Sequence, residues 1–420
     1  MTIRPTRLLS VFRGSLLLLI VLTGDTVAET LMTATQGAPP NMELPKYLTP
    51  AIDPALGLTL VRVTEPLAPL GAGLVCKLSY CSHRYSSAQA WNADQSLLLI
   101  SNGCNGFCFL DGQTYAPQFR RERADRCEWH PTEPNLMICV GGGHIALWTP
   151  RTNTSELVFE TEAYRNLQFG PNKGNPSLDG SRIVVRAIAR DGSLVAFAYD
   201  LVARRKFNDI PLKELPGENS YCGISPLGRY IFCQQYLADE TDQAFIFDIE
   251  GRLVQAWTEN HRPGHGDMTV DDDGTEVYVG ISKSVPDKYQ VIKRRLYDGR
   301  VTALAPYGEA QHASTRATRR PGWVFVSYAG QSLKTPLIRL DAASFIQEVI
   351  ALRIDGSGEM RRVAYTRNPP HDYWSETHAS PSPDGSQIIW SSNWNRPGGP
   401  VYDFVTRLNW SDEKSKHAKQ

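Results

Sequence analysis

Short β-rich apolar runs recur along the chain, each preceded by a stretch of turn-forming residues. The runs are SLLLISNG from Ser96, NLMICVGG from Asn135, RIVVRAIA from Arg182, RYIFCQQ from Arg229, TEVYVGIS from Thr275, GWVFVSY from Gly322 and SQIIWSSN from Ser386. The turns before them read NADQS, HPTEPN, SLDGS, SPLGR, DDDGT, TRRPG and SPDGS, one hairpin signal about every 40 to 60 residues. A second, offset hairpin follows most of them: FLDGQTY, LWTPRTNTSELVF, FAYDLVARRKF, FIFDIEGRLVQAW, RRLYDGRVTAL and LIRLDAASFIQEV. Helical periodicity is scarce. Four strands per unit, each sheet burying both faces against its neighbours, is the pattern of an all-β, seven-bladed β-propeller. The last unit, ending PVYDFVTRLN at 400–409, lacks an outer strand, and GLTLVRVT at 57–64 is expected to supply it and close the ring. Six or eight blades, or a β-sandwich, stay open at this point.

The first residues follow another logic. Arg4, Arg7 and Arg13 precede the apolar run Leu16 to Leu22, and Thr26, Val27 and Ala28 are small, as in a cleaved secretory leader. The division expected is a leader over 1–28, an extension over 29–56, the propeller over 57–410 and a charged tail over 411–420. Secreted or periplasmic residence without stable membrane insertion follows from a cleaved leader. The whole chain has 44 basic and 44 acidic side chains; without the leader 41 and 43 remain. No electrostatic footprint for nucleic acid or anionic membrane is present. Eight cysteines form four sequence-local pairs, Cys76/Cys81, Cys104/Cys108, Cys127/Cys139 and Cys222/Cys233, which suits disulfides in an oxidising compartment; metal binding or free thiols are the alternatives.

No nucleophile elbow, P-loop, H-E-x-x-H or dinucleotide fingerprint occurs, so no nucleotide cofactor is expected. What remains is positional. Aligning the seven turns puts Gln89, Asn175, Tyr221, His265 with Asp267, Gln311 with His312, and Glu376 with His378 in one ring at the starts of the inner strands. His265, His312 and His378, with Gln311, are candidate ligands of one divalent metal, imidazole suiting Mn, Fe, Ni or Zn; polar caps lining a wet channel are the plain alternative. Tyr221, beside Cys222, is a candidate acid or base, or a buried aromatic. His130 and His144 read as turn and strand-edge residues. Two segments exceed the period. Residues 65–87 carry His83, Arg84 and Tyr85, and 353–377 carry Arg361, Arg362, Arg367, His371, Tyr373 and Trp374. Both are expected as loops at the channel mouth, where arginines pair with carboxylates and aromatic faces stack on sugar rings.

SETHASPSPDGSQIIWSSNW at 375–394 and WHPTEPNLMICVGGGHIALWTPRT at 129–152 resemble the secreted seven-bladed propeller polysaccharide lyases of the oligogalacturonate-lyase and ulvan-lyase type. HASPSPDG is similar also to the Tol-system propeller repeat. The first resemblance implies β-elimination from a uronate-containing glycan, and hence an acidic oligo- or polysaccharide partner. It implies a metal on His265, Gln311, His312 and His378, although the H-x-H spacing of such a ligand set is absent. The ulvan-lyase type implies catalysis by Tyr221, His265 and a loop arginine, Arg361 or Arg367. Substrate contacts would fall on Arg84, Tyr85, Arg362, His371, Tyr373 and Trp374. A non-catalytic periplasmic propeller that binds a protein or envelope glycan is the competing reading. A quinone-dependent propeller dehydrogenase lacks support, because no tryptophan-docking pattern repeats.

Overall fold

The computed structural model describes residues 40–169, 174–213, 221–236, 242–258, 264–282, 290–305, 310–328, 345–368 and 373–410. Seven of the eight antiparallel sheets among the described residues stand in a ring about a central channel, and the eighth is a small hairpin, Pro69–Gly71 with Leu74–Val75, inside the 65–87 segment that was expected as a loop. Blade 1 holds Leu97–Ile100, Phe107–Asp111 and Pro117–Arg121, with Trp91 bridging to Leu98 on the channel side. Blade 2 runs from Arg126–Trp129 to Thr154–Glu160, blade 3 from Tyr164–Gln168 to Ile210–Pro211, and blade 4 from Tyr221–Ile224 to Leu253–Trp257. Blade 5 runs from Gly264–Val270 to Val301–Ala305 and blade 6 from Ala310–Ser314 to Met360–Tyr365. Blade 7 contains Ser380–Pro381, Gln387–Ser392 and Tyr402–Arg407.

Why the apolar runs lack alternation is now plain. They are the second strands of their blades, and Glu276–Ile281, Trp323–Tyr328 and Gln387–Ser392 are buried at every position because another blade covers each face. The described core separates into seven hydrophobic clusters, one per blade-to-blade interface; Val277 and Val279 of blade 5, for instance, pack on Val324 and Val326 of blade 6. Seven blades and seven interfaces require a closed ring.

Closure uses the expected strand. Thr59–Arg62 pairs antiparallel with Tyr402–Arg407, with Val61 opposite Val405, and Ala51–Ile52 adds a fifth strand outside it. The segment before the closing strand is also fastened to the ring. Asp53 Oδ2 lies 2.7 Å from Arg367 Nη1, the Arg367 guanidinium lies over Trp394, and the Trp394 indole N–H donates to the Met42 carbonyl. The leader, residues 29–39 and the tail lie outside the described residues.

All four cysteine pairs are disulfides. Cys127–Cys139 and Cys222–Cys233 each join directly opposed residues of an inner hairpin. Among the described residues no helix is long and apolar enough to cross a membrane; the one helical turn is Tyr373–Ser375.

The repeated turns owe their stability to aspartates. Asp94, Asp179 and Asp384 each accept the backbone N–H of the serine two residues on, at 2.9–3.0 Å, closing an Asx turn. Burial alone would raise these carboxyls, but hydrogen bonds from serine hydroxyls and backbone N–H groups hold all three below the usual aspartate value. A depressed folded pKa gives stability that is present above the unfolded value and lost as pH falls through the folded one. The thermal midpoint should therefore fall below about pH 4, with a shallower fall in Asp384→Asn, as followed by circular dichroism.

The structure corrects the sequence reading of blade 6, whose outer hairpin is Glu348–Arg353 with Met360–Tyr365 and not LIRLDAASFIQEV, of which 337–344 lie outside the described residues. Residues 353–377 are not a continuous loop, because Met360–Tyr365 is the outer strand of blade 6.

Candidate functional site at the channel mouth

Three consecutive blades bring their inner strand starts together on one face of the ring. His265 Nδ1 lies 3.1 Å from His312 Nε2, and Glu376 Oε2 lies 3.6 Å from His312 Nε2 and 3.5 Å from His378 Nε2. The His312 and His378 ring centroids are 4.1 Å apart. His312 is buried at the base, His378 and Glu376 are half-buried, and His265 is exposed at the rim. Tyr85 reaches in from the 65–87 segment, its hydroxyl 3.5 Å from His265 Nδ1 and its ring against His312 and His378. Burial, followed by the Glu376 carboxylate, pushes the Tyr85 phenol well above its ordinary value.

The backbone beneath these side chains is unusual in the same places. His265 has φ of 52° and His378 of 46°, a left-handed conformation that costs a non-glycine residue about 1–3 kcal/mol and is kept only where surroundings impose it. The inner strands of blades 5 and 6 both bulge here, between Gly264 and Asp267 and between Ala310 and His312. A bulge re-aims side chains out of the sheet's alternation. Gly266 must be glycine, since a Cβ there would meet the Val279 carbonyl oxygen at 2.1 Å. Just below, Arg316 forms a bidentate pair with Asp267 at 2.7 and 2.8 Å and so fixes blade 6 to blade 5 beside the cluster.

His83 supports the far side. Its Nδ1 lies 3.0 Å from Asp403 Oδ2 and its Nε2 lies 2.7 Å from the His378 carbonyl oxygen. Both neighbours are acceptors, so both ring nitrogens carry hydrogen and the ring is an imidazolium. Burial acts to discharge it; the Asp403 charge and the two hydrogen bonds prevail and raise its pKa.

Beside the cluster, in the turn whose Tyr373 carbonyl accepts the Glu376 N–H, stands an aromatic platform. Tyr80 and Trp374 stack at 4.3 Å with 7° between their planes, and Tyr373 stands edge-on to Trp374. Trp374 is 51% and Tyr373 63% exposed, unusual for rings of this size. Tyr80 is held by the adjoining Cys76–Cys81 disulfide and by pairing with Val401.

The residues singled out in the sequence thus divide. His265, His312, His378 and Tyr85 converge, with Tyr373 and Trp374 beside them. Gln311 occupies the blade 6 bulge next to His312. Arg84 lies nearby but is committed to Glu128 and the Cys127 carbonyl. Tyr221 is 4% exposed in the core between blades 4 and 5, its ring against Phe232, which places it in packing and apart from the histidine cluster. Arg361 lies on an outer strand, bonded to the Asn409 carbonyl and over Trp410, and Arg362 on the same strand pairs with Glu348. Arg367 is 1% exposed and neutralised by Asp53, so it has no face left for a substrate. His371 lies outside the described residues. His130 caps its own turn and His144 sits beside Asp125. Sequence reasoning placed Glu376 in the ring with the histidines but left it out of the ligand set, and it missed His83 as a support. The Glu-Thr-His spacing at 376–378 carried the first signal; nothing local marks the second.

The fold is similar to that of an oligogalacturonate lyase solved in complex with manganese, at 15% identity over 86% of this chain and 96% of that one, TM-score 0.59. It is similar also to an oligogalacturonate lyase from Vibrio parahaemolyticus, at 9% identity over 86% and 97%, TM-score 0.58. TolB from Acinetobacter baumannii superposes at a TM-score of 0.35, with 14% identity over 78% and 63%, and carries no argument. No protein-family model matches the chain, and no curated protein does. At such identities the likeness is one of fold, a seven-bladed propeller.

Proposed function

We propose that this propeller is an exported carbohydrate lyase that cleaves a uronate-containing oligo- or polysaccharide by β-elimination at the histidine-bearing mouth of its channel. The observation that carries the reading is the convergence of His265, His312, Glu376 and His378 beside exposed aromatic rings. Donors about 2.1 Å from one divalent ion lie at most about 4.2 Å from one another. Glu376 lies 3.6 and 3.5 Å from the nitrogens of His312 and His378, within that limit, and two imidazoles with one carboxylate fit Mn, Fe, Ni or Zn, while His265, 3.1 Å from His312, stands outside this group and serves proton transfer instead. Such an ion, when bound, neutralises the uronate carboxylate and so acidifies the C5 proton. Gln311 is a further candidate for contacts to the acidic substrate.

Elimination breaks the C5–H bond and the C4–O bond, forms a C4=C5 double bond and transfers a proton to the departing oxygen. No protein nucleophile takes part. Tyr85 Oη is the proton-carrying atom set beside the cluster, and His265, exposed at the rim, is the candidate to accept the C5 proton. Trp374 and Tyr373 orient the pyranose ring by stacking and keep water from its lower face. The four disulfides and the leader-like first 28 residues support export.

Incubation of the purified, untagged protein with uronate polysaccharides is expected to yield unsaturated products, seen as ultraviolet absorbance, and chelation should stop their formation. Persistent inactivity of metal-loaded protein on every uronate glycan tested would leave the binding-propeller reading instead. Trp374→Ala is expected to raise KM about three- to tenfold with little change in kcat, the equivalent of one lost stacking contact.

A further inference from the structure

We propose that His83 and Asp403 form a positioning pair whose task is to hold His378 in its left-handed conformation, so that its ring meets Glu376 and His312. The inference rests on the metal-centre reading only for its functional consequence; its geometry stands by itself. The peptide that joins His378 to Ala379 is gripped at both edges. His83 Nε2 donates to the His378 carbonyl at 2.7 Å, and the Ala379 N–H donates to Ser327 Oγ at 3.0 Å. A peptide plane fixed at its oxygen and its nitrogen has no freedom to rotate, which sets ψ of His378 and the direction of its side chain.

His83 is itself immobilised. Its backbone N–H and its Nδ1 both donate to Asp403 Oδ2, at 2.5 and 3.0 Å, Ser391 Oγ donates to Asp403 Oδ1 at 2.6 Å, and the Asp403 N–H donates to Thr64 Oγ1 at 2.8 Å. The chain therefore links the 65–87 segment, the closing blade and the cluster through buried, charge-assisted hydrogen bonds. Ser327, the other grip, is the cross-strand partner of His312. Two neighbouring members of the cluster thus share one support, and outer partners of this kind change metal affinity about 10–100-fold when removed.

The test uses the full mature chain without a histidine tag, manganese(II) alone as probe in isothermal titration calorimetry, and crystals of the metal-free protein. In His83→Ala, manganese affinity should fall about 10–100-fold and His378 should leave the left-handed region. His83→Gln, whose amide still donates to the His378 carbonyl, should recover part of the affinity. Asp403→Asn, which keeps the shape of the pair, serves as the second variant should His83→Ala not fold. Unchanged affinity and an unchanged His378 backbone, with only a lowered unfolding midpoint, would overturn the proposal in favour of a merely structural role. A wild type that binds no manganese would overturn the metal centre instead; the crystals would then decide the positioning role alone, upheld if His378 moves and overturned if it stays.

Discussion

In His312→Ala, the divalent ion proposed for the histidine cluster should be lost, with affinity down at least about 100-fold, more than removal of an outer partner achieves. His312 is the member of the cluster with the least freedom. It is 1% exposed, bulged out of the blade 6 inner strand, and close to the donor atoms of both His265 and Glu376. Alanine there leaves only Glu376 with His378, too few donors for one ion. The check is metal content per chain by plasma mass spectrometry, with His130→Ala and His144→Ala as controls, since these residues serve a turn and an ion pair away from the cluster. Equal metal in His312→Ala and wild type would remove the shared site.

Asp53→Ala should destabilise the protein by about 3–5 kcal/mol, because it leaves the buried Arg367 guanidinium without its counter-charge. Asp53 is 2% and Arg367 1% exposed, and the pair joins the segment ahead of the closing strand to the chain that follows blade 6. The double variant Asp53→Ala with Arg367→Met should recover most of the loss, since an apolar side chain of similar volume has no charge to desolvate. Urea denaturation midpoints test this. A loss under about 1 kcal/mol in Asp53→Ala would mean that the ring closes through strand pairing alone.

That pair also shows where sequence reasoning ends. Arg367 stands in a run of arginines and aromatics that reads as a substrate loop, yet Asp53, 314 positions earlier, claims it. Arg361 and Arg362 fail for another reason: the outer strand of blade 6 is short of apolar residues on one face, and its arginines cover Trp410 and Glu348. Tyr221 sits at an inner strand start like the histidines, but its strand lacks the bulge that turns His265 and His312 toward the channel, so its ring stays between blades.

The all-β propeller, seven units, the closing strand at 57–64, four local cysteine pairs and three histidines in register were legible in the chain, with blade number and the state of the cysteines left for the sheets and disulfides to decide. Those features depend on short apolar runs, turn chemistry and spacing within about 50 residues, and the chain carries each of them locally. Only the tertiary structure decided which polar residues face the channel, that Glu376 joins the histidines, that His83 and Asp403 support them from 320 positions apart, and that Tyr80 stacks on Trp374. A ring brings blade 7 beside blade 1, and a bulge or a left-handed residue turns a side chain through a whole face of the sheet. Neither leaves a mark on the local hydrophobic pattern.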